Sequence, residues 1–182
     1  MNTYVVLLRG LTPTGKNKVL MAPLRSALKQ AGLKDVQTYI QSGNVVARSS
    51  LTSKVLENLV HDVIRTKFGG DIIVLARTPE QFSEILALNP FKEIDEKRLY
   101  FSLLKNEPDK KLLNKFLSID FLPDQVRYVE ITIYALYKTK HSDSKFDNNY
   151  FERKLKVRAT TRNLNTMNKL AAMARAQNDV PA

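Results

Sequence analysis

The segment from Thr160 to Lys169 places several hydrogen-bond donors around the start of a predicted helix. Backbone N–H groups and the helix dipole at such a start favour an anion. One asparagine would suffice as the N-cap, and Arg162 could pair with a carboxylate, so local structure remains an alternative for part of this set. The segment predicts one wall of an anion site, with Thr161, Arg162, Asn163, Asn165 and Lys169 as ligand-binding residues.

A basic loop containing glycine lies between the first predicted strand and the first predicted helix. Arg9, Lys16 and Asn17 would offer charge and hydrogen bonds to a phosphate or carboxylate, together with N–H groups of the loop. The loop lacks the spaced glycines and the Lys-Ser/Thr pair of a Walker A motif, which disfavours a P-loop NTPase. In the alternative interpretation, the glycines only shape the turn and the basic groups face solvent.

A third polar segment, Gln41-Ser42-Gly43-Asn44, separates two short apolar runs. Glycine and asparagine tolerate positive φ, and serine bonds to nearby backbone, so the segment is typical of a hairpin turn. Turn chemistry alone does not explain Gln41. We therefore include Gln41, Ser42 and Asn44 among the expected ligand-binding residues, beside the structural interpretation.

The sequence contains no recognisable catalytic or metal-binding constellation. His61 lies at the edge of an apolar helical face and His141 in a Lys/Ser-rich loop, without carboxylate or cysteine spacing for a metal. Asp143 and Asp147 fit helix caps better than a general acid and base. Tyr100 could stack on a base, but core packing is its default role. We predict no catalytic residues, no metal and no cofactor.

Charge is the compositional outlier, because the 182 residues carry a net charge of +11. Such a balance favours phosphate-bearing small molecules or nucleic acid as partners, and a solvated basic surface is the alternative. Without cysteine, thiolate chemistry and thiolate zinc sites are excluded. No segment has the length and apolarity of a membrane span. We expect a cytoplasmic protein.

Apolar periodicity predicts strands and helices in the order βαββαβ, which then repeats, followed by a C-terminal helix. This is the order of a split βαβ, ferredoxin-like unit. We predict an α+β fold with a first ferredoxin-like unit over residues 1–77, a connecting helix and linker over 78–97, and a second unit with the C-terminal helix over 98–182.

Several motifs resemble the bacterial family called domain of unknown function 1697: Leu7-Leu8-Arg9-Gly10, Gly15-Lys16-Asn17-Lys18-Val19 with Met21, Thr38 to Val46, and Thr160 to Thr166 with Lys169-Leu170. The resemblance implies a duplicated ferredoxin-like α+β architecture without a settled biochemical role. The family loop usually has an asparagine and paired glycines where this chain has Thr12, Pro13 and Thr14. Proline removes a backbone donor and threonine resists positive φ, which weakens any backbone cradle there.

The leading hypothesis is a cytoplasmic protein that binds an anionic ligand, such as a nucleotide, phosphate ester or nucleic acid, at a basic and amide-rich site between the two units. Two alternatives stay open. One is a small enzyme acting on a phosphorylated substrate, for which the polar set offers no carboxylate or histidine as general base. The other is a protein-interaction module without a ligand, using a sheet edge or face.

Overall fold

The structure is a computed structural model that describes residues 1–11, 14–15, 17–92 and 95–178. The eight strands in these ranges are β1 Asn2–Arg9, β2 Lys34–Tyr39, β3 Asn44–Ser49, β4 Ile73–Arg77, β5 Leu99–Leu104, β6 Gln125–Val129, β7 Thr132–Leu136 and β8 Ala159–Asn163. The six α-helices are α1 Met21–Gln30, α2 Ser53–Phe68, α3 Pro79–Ala87, α4 Lys110–Leu117, α5 Asn148–Leu155 and α6 Leu164–Asn178. Single 3₁₀ turns span Glu96–Arg98 and His141–Asp143.

The strands form two four-stranded antiparallel sheets, which confirms the predicted α+β class. The order within the first sheet is β2-β3-β1-β4, and the order within the second is β6-β7-β5-β8. Along the chain, each sheet and its helices follow the order βαββαβ, as the apolar periodicity predicts. In both sheets the first strand of the set is central, so its residues form near-continuous apolar runs.

The first unit comprises residues Met1–Glu84 together with the chain from Lys169. Its core combines alternate residues of β1, such as Tyr4, Val6 and Leu8, with apolar residues of α1 and α2. The part of α6 from Lys169 groups with this unit rather than with the second, where the sequence places the whole helix. One contact responsible is the Gln177 side-chain amide, which donates to the Asp35 carbonyl oxygen at 2.6 Å.

The second unit comprises Ile85–Asn168. One apolar cluster of this unit is rich in aromatic residues, and the Phe116 ring lies 5.2 Å from Phe121 and 5.9 Å from Phe151 between centroids. Strands β6 and β7 form a hairpin, in which Val129 pairs with Thr132. Glu130 takes the positive φ of 51° that the two-residue turn needs, although no glycine or asparagine marks this turn in the sequence.

A buried or nearly buried glutamate covers one sheet edge in each unit. The Glu57 carboxylate on α2 accepts from the Ala76 N–H on edge strand β4 at 2.8 Å. The Glu152 carboxylate on α5 accepts from the Ala159 N–H on edge strand β8, also at 2.8 Å. Both contacts satisfy backbone donors that an edge strand would otherwise leave open to pairing with another chain.

Candidate functional site

The second unit contains an open groove between the start of β5 and the loop that follows β7. We call it the cationic groove. It has a volume of about 750 Å³ and is lined by Asp95, Lys97, Arg98, Tyr100, Lys138, Thr139, Lys140, His141, Ser142 and Asp143. The β5–β7 pairing builds it, since Leu99 faces Leu136 in the register and the two strand ends therefore lie side by side. Residues about 40 positions apart in the chain thus line one concavity.

Backbone and carboxylate contacts hold the loop wall of the cationic groove in place. The Tyr137 N–H donates to the Arg98 carbonyl oxygen at 3.0 Å, and the Arg98 guanidinium donates to the Lys138 carbonyl oxygen. Behind the wall, the buried Asp124 carboxylate accepts from the Lys138 N–H at 2.8 Å and from the Ser144 hydroxyl at 2.7 Å. A wall fixed at both ends presents its side chains at defined positions, which lowers the entropy lost on binding a ligand.

Cations outnumber carboxylates along this surface. Lys97, Arg98, Lys138 and Lys140 supply four positive charges, against the carboxylates of Asp95 and Asp143. Each carboxylate has a local partner: Asp95 lies 3.2 Å from the Arg98 Nε, and Asp143 accepts from the Ser142 hydroxyl at 3.0 Å. The unbalanced charge is therefore positive, which favours an anion.

His141 stacks on Tyr100 within the cationic groove. Their ring centroids are 4.5 Å apart with an interplanar angle of 16°, and the Tyr137 ring meets His141 edge-on at 5.0 Å. Burial lowers the pKa of His141, against an opposing effect of the Asp147 carboxylate. The imidazole Nε2 is shielded and has no hydrogen-bond partner within the described part of the chain. At neutral pH the ring is thus an uncharged aromatic surface beside four cations.

The predicted donors from Thr161 to Lys169 serve several separate local interactions. The Thr161 hydroxyl bonds to the Ser102 hydroxyl at 2.6 Å and donates to the Asn148 amide oxygen at 2.8 Å. The Asn163 amide oxygen accepts from the Thr166 N–H at 2.9 Å, as an N-cap does for α6. Asn165 and Lys169 lie exposed on α6. A common ligand for this set stays a prediction.

Arg162 is held against its own strand. Its guanidinium donates to the Thr160 hydroxyl at 2.9 Å and to the Thr161 carbonyl oxygen at 2.7 Å. Burial lowers the pKa of Arg162 to about 10, so the group is still charged at neutral pH. Side chains alternate along a strand, and Arg162 and Thr161 therefore occupy opposite faces of the second sheet.

In the first unit, the structure brings the two predicted N-terminal segments together. The Gln41 side-chain amide donates to the Val19 carbonyl oxygen at 2.7 Å, which ties the hairpin turn to the chain entering α1. The Asn44 amide is buried and donates to the Tyr39 carbonyl oxygen and to the Ser42 hydroxyl, each at 3.0 Å. The Asn44 contacts are those of a turn, whereas the Gln41 contact joins the turn to the segment before α1.

The opening loop contributes Arg9 and Asn17 to the same end of the first sheet. Arg9 is the last residue of β1 and is partly exposed. The Asn17 amide oxygen accepts from the Asp71 N–H at 3.3 Å. Lys16, the third predicted residue of this loop, lies outside the described residues. A ligand at this end of the sheet stays a prediction.

Within residues 1–11, 14–15, 17–92 and 95–178, no three His, Cys, Asp or Glu side chains are grouped so that they could hold a metal ion. Across the same ranges, none of the helices combines the length and apolarity needed to cross a bilayer.

The cationic groove is absent from the sequence-based set of site residues. The sequence carried one signal for it, the run Lys138-Thr139-Lys140-His141, which follows a predicted strand. The opposite wall of the groove, from Asp95 to Tyr100, has the sequence of a helical turn followed by a strand and carries no signal of a site. Only the register between β5 and β7 joins the two.

Residues 1–134 match the family model described as a protein of unknown function, DUF1697. The chain belongs to this family. The match includes the β5 side of the cationic groove and ends before its loop wall, and the C-terminal segment Thr160 to Lys169 lies beyond it as well. No protein with a curated description matches the sequence significantly.

Among solved structures, this DUF1697 protein is similar to the conserved bacterial protein SP0830 from Streptococcus pneumoniae. The two share 23% sequence identity with a TM-score of 0.76, over 95% of this chain and 98% of the other. At this identity the likeness concerns the fold. It extends across both units of the DUF1697 protein, including the residues that follow position 134.

Proposed function

We propose that this DUF1697 protein binds a phosphate-bearing ligand in the cationic groove, and that it does so as a binding protein of the cytoplasm. The observation that carries the proposal is the gathering of Lys97, Arg98, Lys138 and Lys140 around one concavity. Each of these groups can place N–H donors on a phosphate oxygen, and such charge-assisted bonds are the stronger ones. A volume of about 750 Å³ suits a small phosphate ester or one nucleotide.

The stacked pair of Tyr100 and His141 supports a ligand that carries a ring beside its phosphate. A neutral imidazole on a phenol ring forms a flat, partly exposed surface next to the cations. Aromatic surfaces of this kind stack on bases. A nucleotide offers both a base and a phosphate, so it fits the cationic groove better than inorganic phosphate does.

The fold interpretation belongs to the same proposal. Each unit follows βαββαβ order with its first strand in the sheet interior, which supports two ferredoxin-like units. In this arrangement the loop after the third strand lies beside the start of the first strand. That position is where the cationic groove forms in the second unit.

Binding can be measured by calorimetry with tripolyphosphate, ATP and GTP as probes. We expect the Lys138→Gln/Lys140→Gln variant to lose about tenfold in affinity for them, because two charge-assisted contacts are removed. The matched control is Lys110→Gln/Lys111→Gln, which removes the same charge from exposed positions at the start of α4. The proposal fails if neither tripolyphosphate nor the nucleotides bind, or if both variants weaken binding equally.

A further inference from the structure

We propose that the ligand of this DUF1697 protein is a single-stranded nucleic acid that extends beyond the cationic groove. The surface it would follow carries five cations, which we call the basic strip: Lys145, Arg153, Lys154, Lys156 and Arg158. The inference rests on the proposed function, because the strand would place one phosphate or nucleotide in the cationic groove.

A chain of direct contacts connects the cationic groove to the basic strip. The His141 ring packs on Tyr137, whose hydroxyl donates to the Phe146 carbonyl oxygen at 2.7 Å. The Phe146 ring lies 5.1 Å from the Tyr150 ring, and the Arg153 guanidinium lies 5.4 Å from the Tyr150 centroid. Tyr137 and Phe146 are buried, so these contacts run beneath the surface. At the surface, the strip begins with the exposed Lys145, two positions after the groove residue Asp143.

The basic strip continues into a second concavity at the end of α5. This concavity has a volume of about 370 Å³, and Arg153, Lys156 and Arg158 are among its lining residues. The Arg158 side chain is 67% exposed, although its guanidinium lies 3.7 Å from Glu152. Two concavities bordered by cations within one unit suit a polymer with regularly spaced phosphates better than a single small anion.

Two of the three carboxylates of this region accept hydrogen bonds from backbone N–H groups. From residue 138 to residue 162 the chain has eight Lys and Arg residues against three Asp and Glu residues. Asp147 accepts from the Tyr150 N–H at 2.8 Å and thereby caps α5. Glu152 accepts from the Ala159 N–H. Two of the three anionic groups are thus engaged by backbone donors, whereas Arg153, Lys154 and Lys156 are exposed.

Partly exposed rings between the cations favour a single strand over other polyanions. Tyr150 has both Arg153 and Lys154 near its ring, at 5.4 and 5.5 Å from the centroid. The Tyr100–His141 stack offers a second ring surface within the cationic groove. Unpaired bases stack on such rings, whereas the bases of a duplex are already stacked and an acidic protein offers none.

Fluorescence anisotropy with a labelled single strand of about 12 nucleotides, a length within the site sizes of single-strand binding modules, tests the inference. RNA and DNA strands of the same mixed sequence are measured side by side, and the difference in their affinities shows which of the two the protein prefers. We expect the Arg153→Gln/Lys154→Gln variant to bind the strand about tenfold more weakly, and its logarithmic salt slope to fall by about 1 to 2. Tripolyphosphate affinity should stay unchanged, because the cationic groove is intact.

Two controls keep the result specific. Lys110→Gln/Lys111→Gln removes equal charge elsewhere in the second unit. Its affinity for the strand should stay within about twofold of the unmodified protein, because only weak long-range attraction is lost. Tyr150→Leu should weaken strand binding at least about fivefold, while Tyr150→Phe, which keeps the ring, should not. Circular dichroism of each variant checks that the fold is kept.

The outcomes separate this inference from the proposed function. If tripolyphosphate binds the cationic groove but Arg153→Gln/Lys154→Gln does not weaken oligonucleotide binding, the inference is overturned and the proposed function stands. The inference also fails if polyglutamate of equal charge competes as well as the single strand, or if duplex DNA binds as tightly. If neither tripolyphosphate nor the oligonucleotide binds, both proposals fall.

Discussion

Replacing Gly43 with alanine tests whether the Gln41–Asn44 turn is built for the fold. Gly43 has a φ of +81°, and a Cβ at this position would lie 2.8 Å from both the Leu8 Cβ and the Leu8 carbonyl oxygen. The left-handed conformation costs a non-glycine residue about 1–2 kcal/mol. Overpacking against a central strand adds about 1–3 kcal/mol. We therefore expect Gly43→Ala to lower the free energy of unfolding by about 2–5 kcal/mol.

Gly69→Ala is the matched control, because Gly69 has a similar φ of +69° with nothing within 4 Å of an added Cβ. This variant should lose only the conformational cost of about 1–2 kcal/mol. Urea unfolding of both variants, followed by circular dichroism, measures the difference. With m-values of about 1–3 kcal/mol/M, the extra loss in Gly43→Ala corresponds to a midpoint lower by about 1 M.

Equal destabilisation of the two variants would refute the close approach of Gly43 to β1. If Gly43→Ala instead keeps normal stability but no longer binds tripolyphosphate, the result would favour the hypothesis that the turn binds a ligand. The structural argument predicts the opposite pattern, in which stability falls and the folded fraction still binds.

Two further predictions concern the wall of the cationic groove. Asp124→Ala leaves the Lys138 N–H and the Ser144 hydroxyl without their acceptor. We expect it to lower the free energy of unfolding in urea by about 2–4 kcal/mol and to weaken tripolyphosphate binding. Asp124→Asn, whose amide oxygen can still accept, should lower it less, and an equal loss in both variants would contradict the argument. His141 has a folded-state pKa below its ordinary 6.5, so the unfolded state binds more protons and stability falls as the pH drops below about 6.5. His141→Gln should show a smaller loss of unfolding free energy between pH 7.5 and pH 5, and an unchanged loss would mean that the ring is not buried.

Local features of the fold follow from the sequence because the interacting groups are only a few positions apart. Thr78 and Gln81 form a capping box at the start of α3: the Thr78 N–H donates to the Gln81 side-chain oxygen at 3.0 Å, and the Gln81 N–H donates to the Thr78 hydroxyl at 3.3 Å. Asp147, a predicted cap, begins α5 by accepting from the Tyr150 N–H. Apolar periodicity likewise sets the order of strands and helices, and with it the α+β class.

The candidate site was only partly accessible from the sequence, for a physical reason. Residue types reveal which groups could bind an anion, but strand register decides which of them meet. Thr161 and Arg162 are neighbours in the chain, yet the pleat of β8 sends them to opposite faces of the sheet. Conversely, Arg98 and Lys138 are 40 positions apart and are joined by the antiparallel pairing of β5 with β7.

The sequence by itself therefore determined the α+β class, the element order, helix caps such as Asp147 and a net positive charge. Tertiary structure alone decided where that charge is concentrated. It tied Gln41 to the segment before α1 and Glu152 to a sheet edge. Long-range pairing, which no local pattern encodes, gathered four cations around Tyr100 and His141 instead.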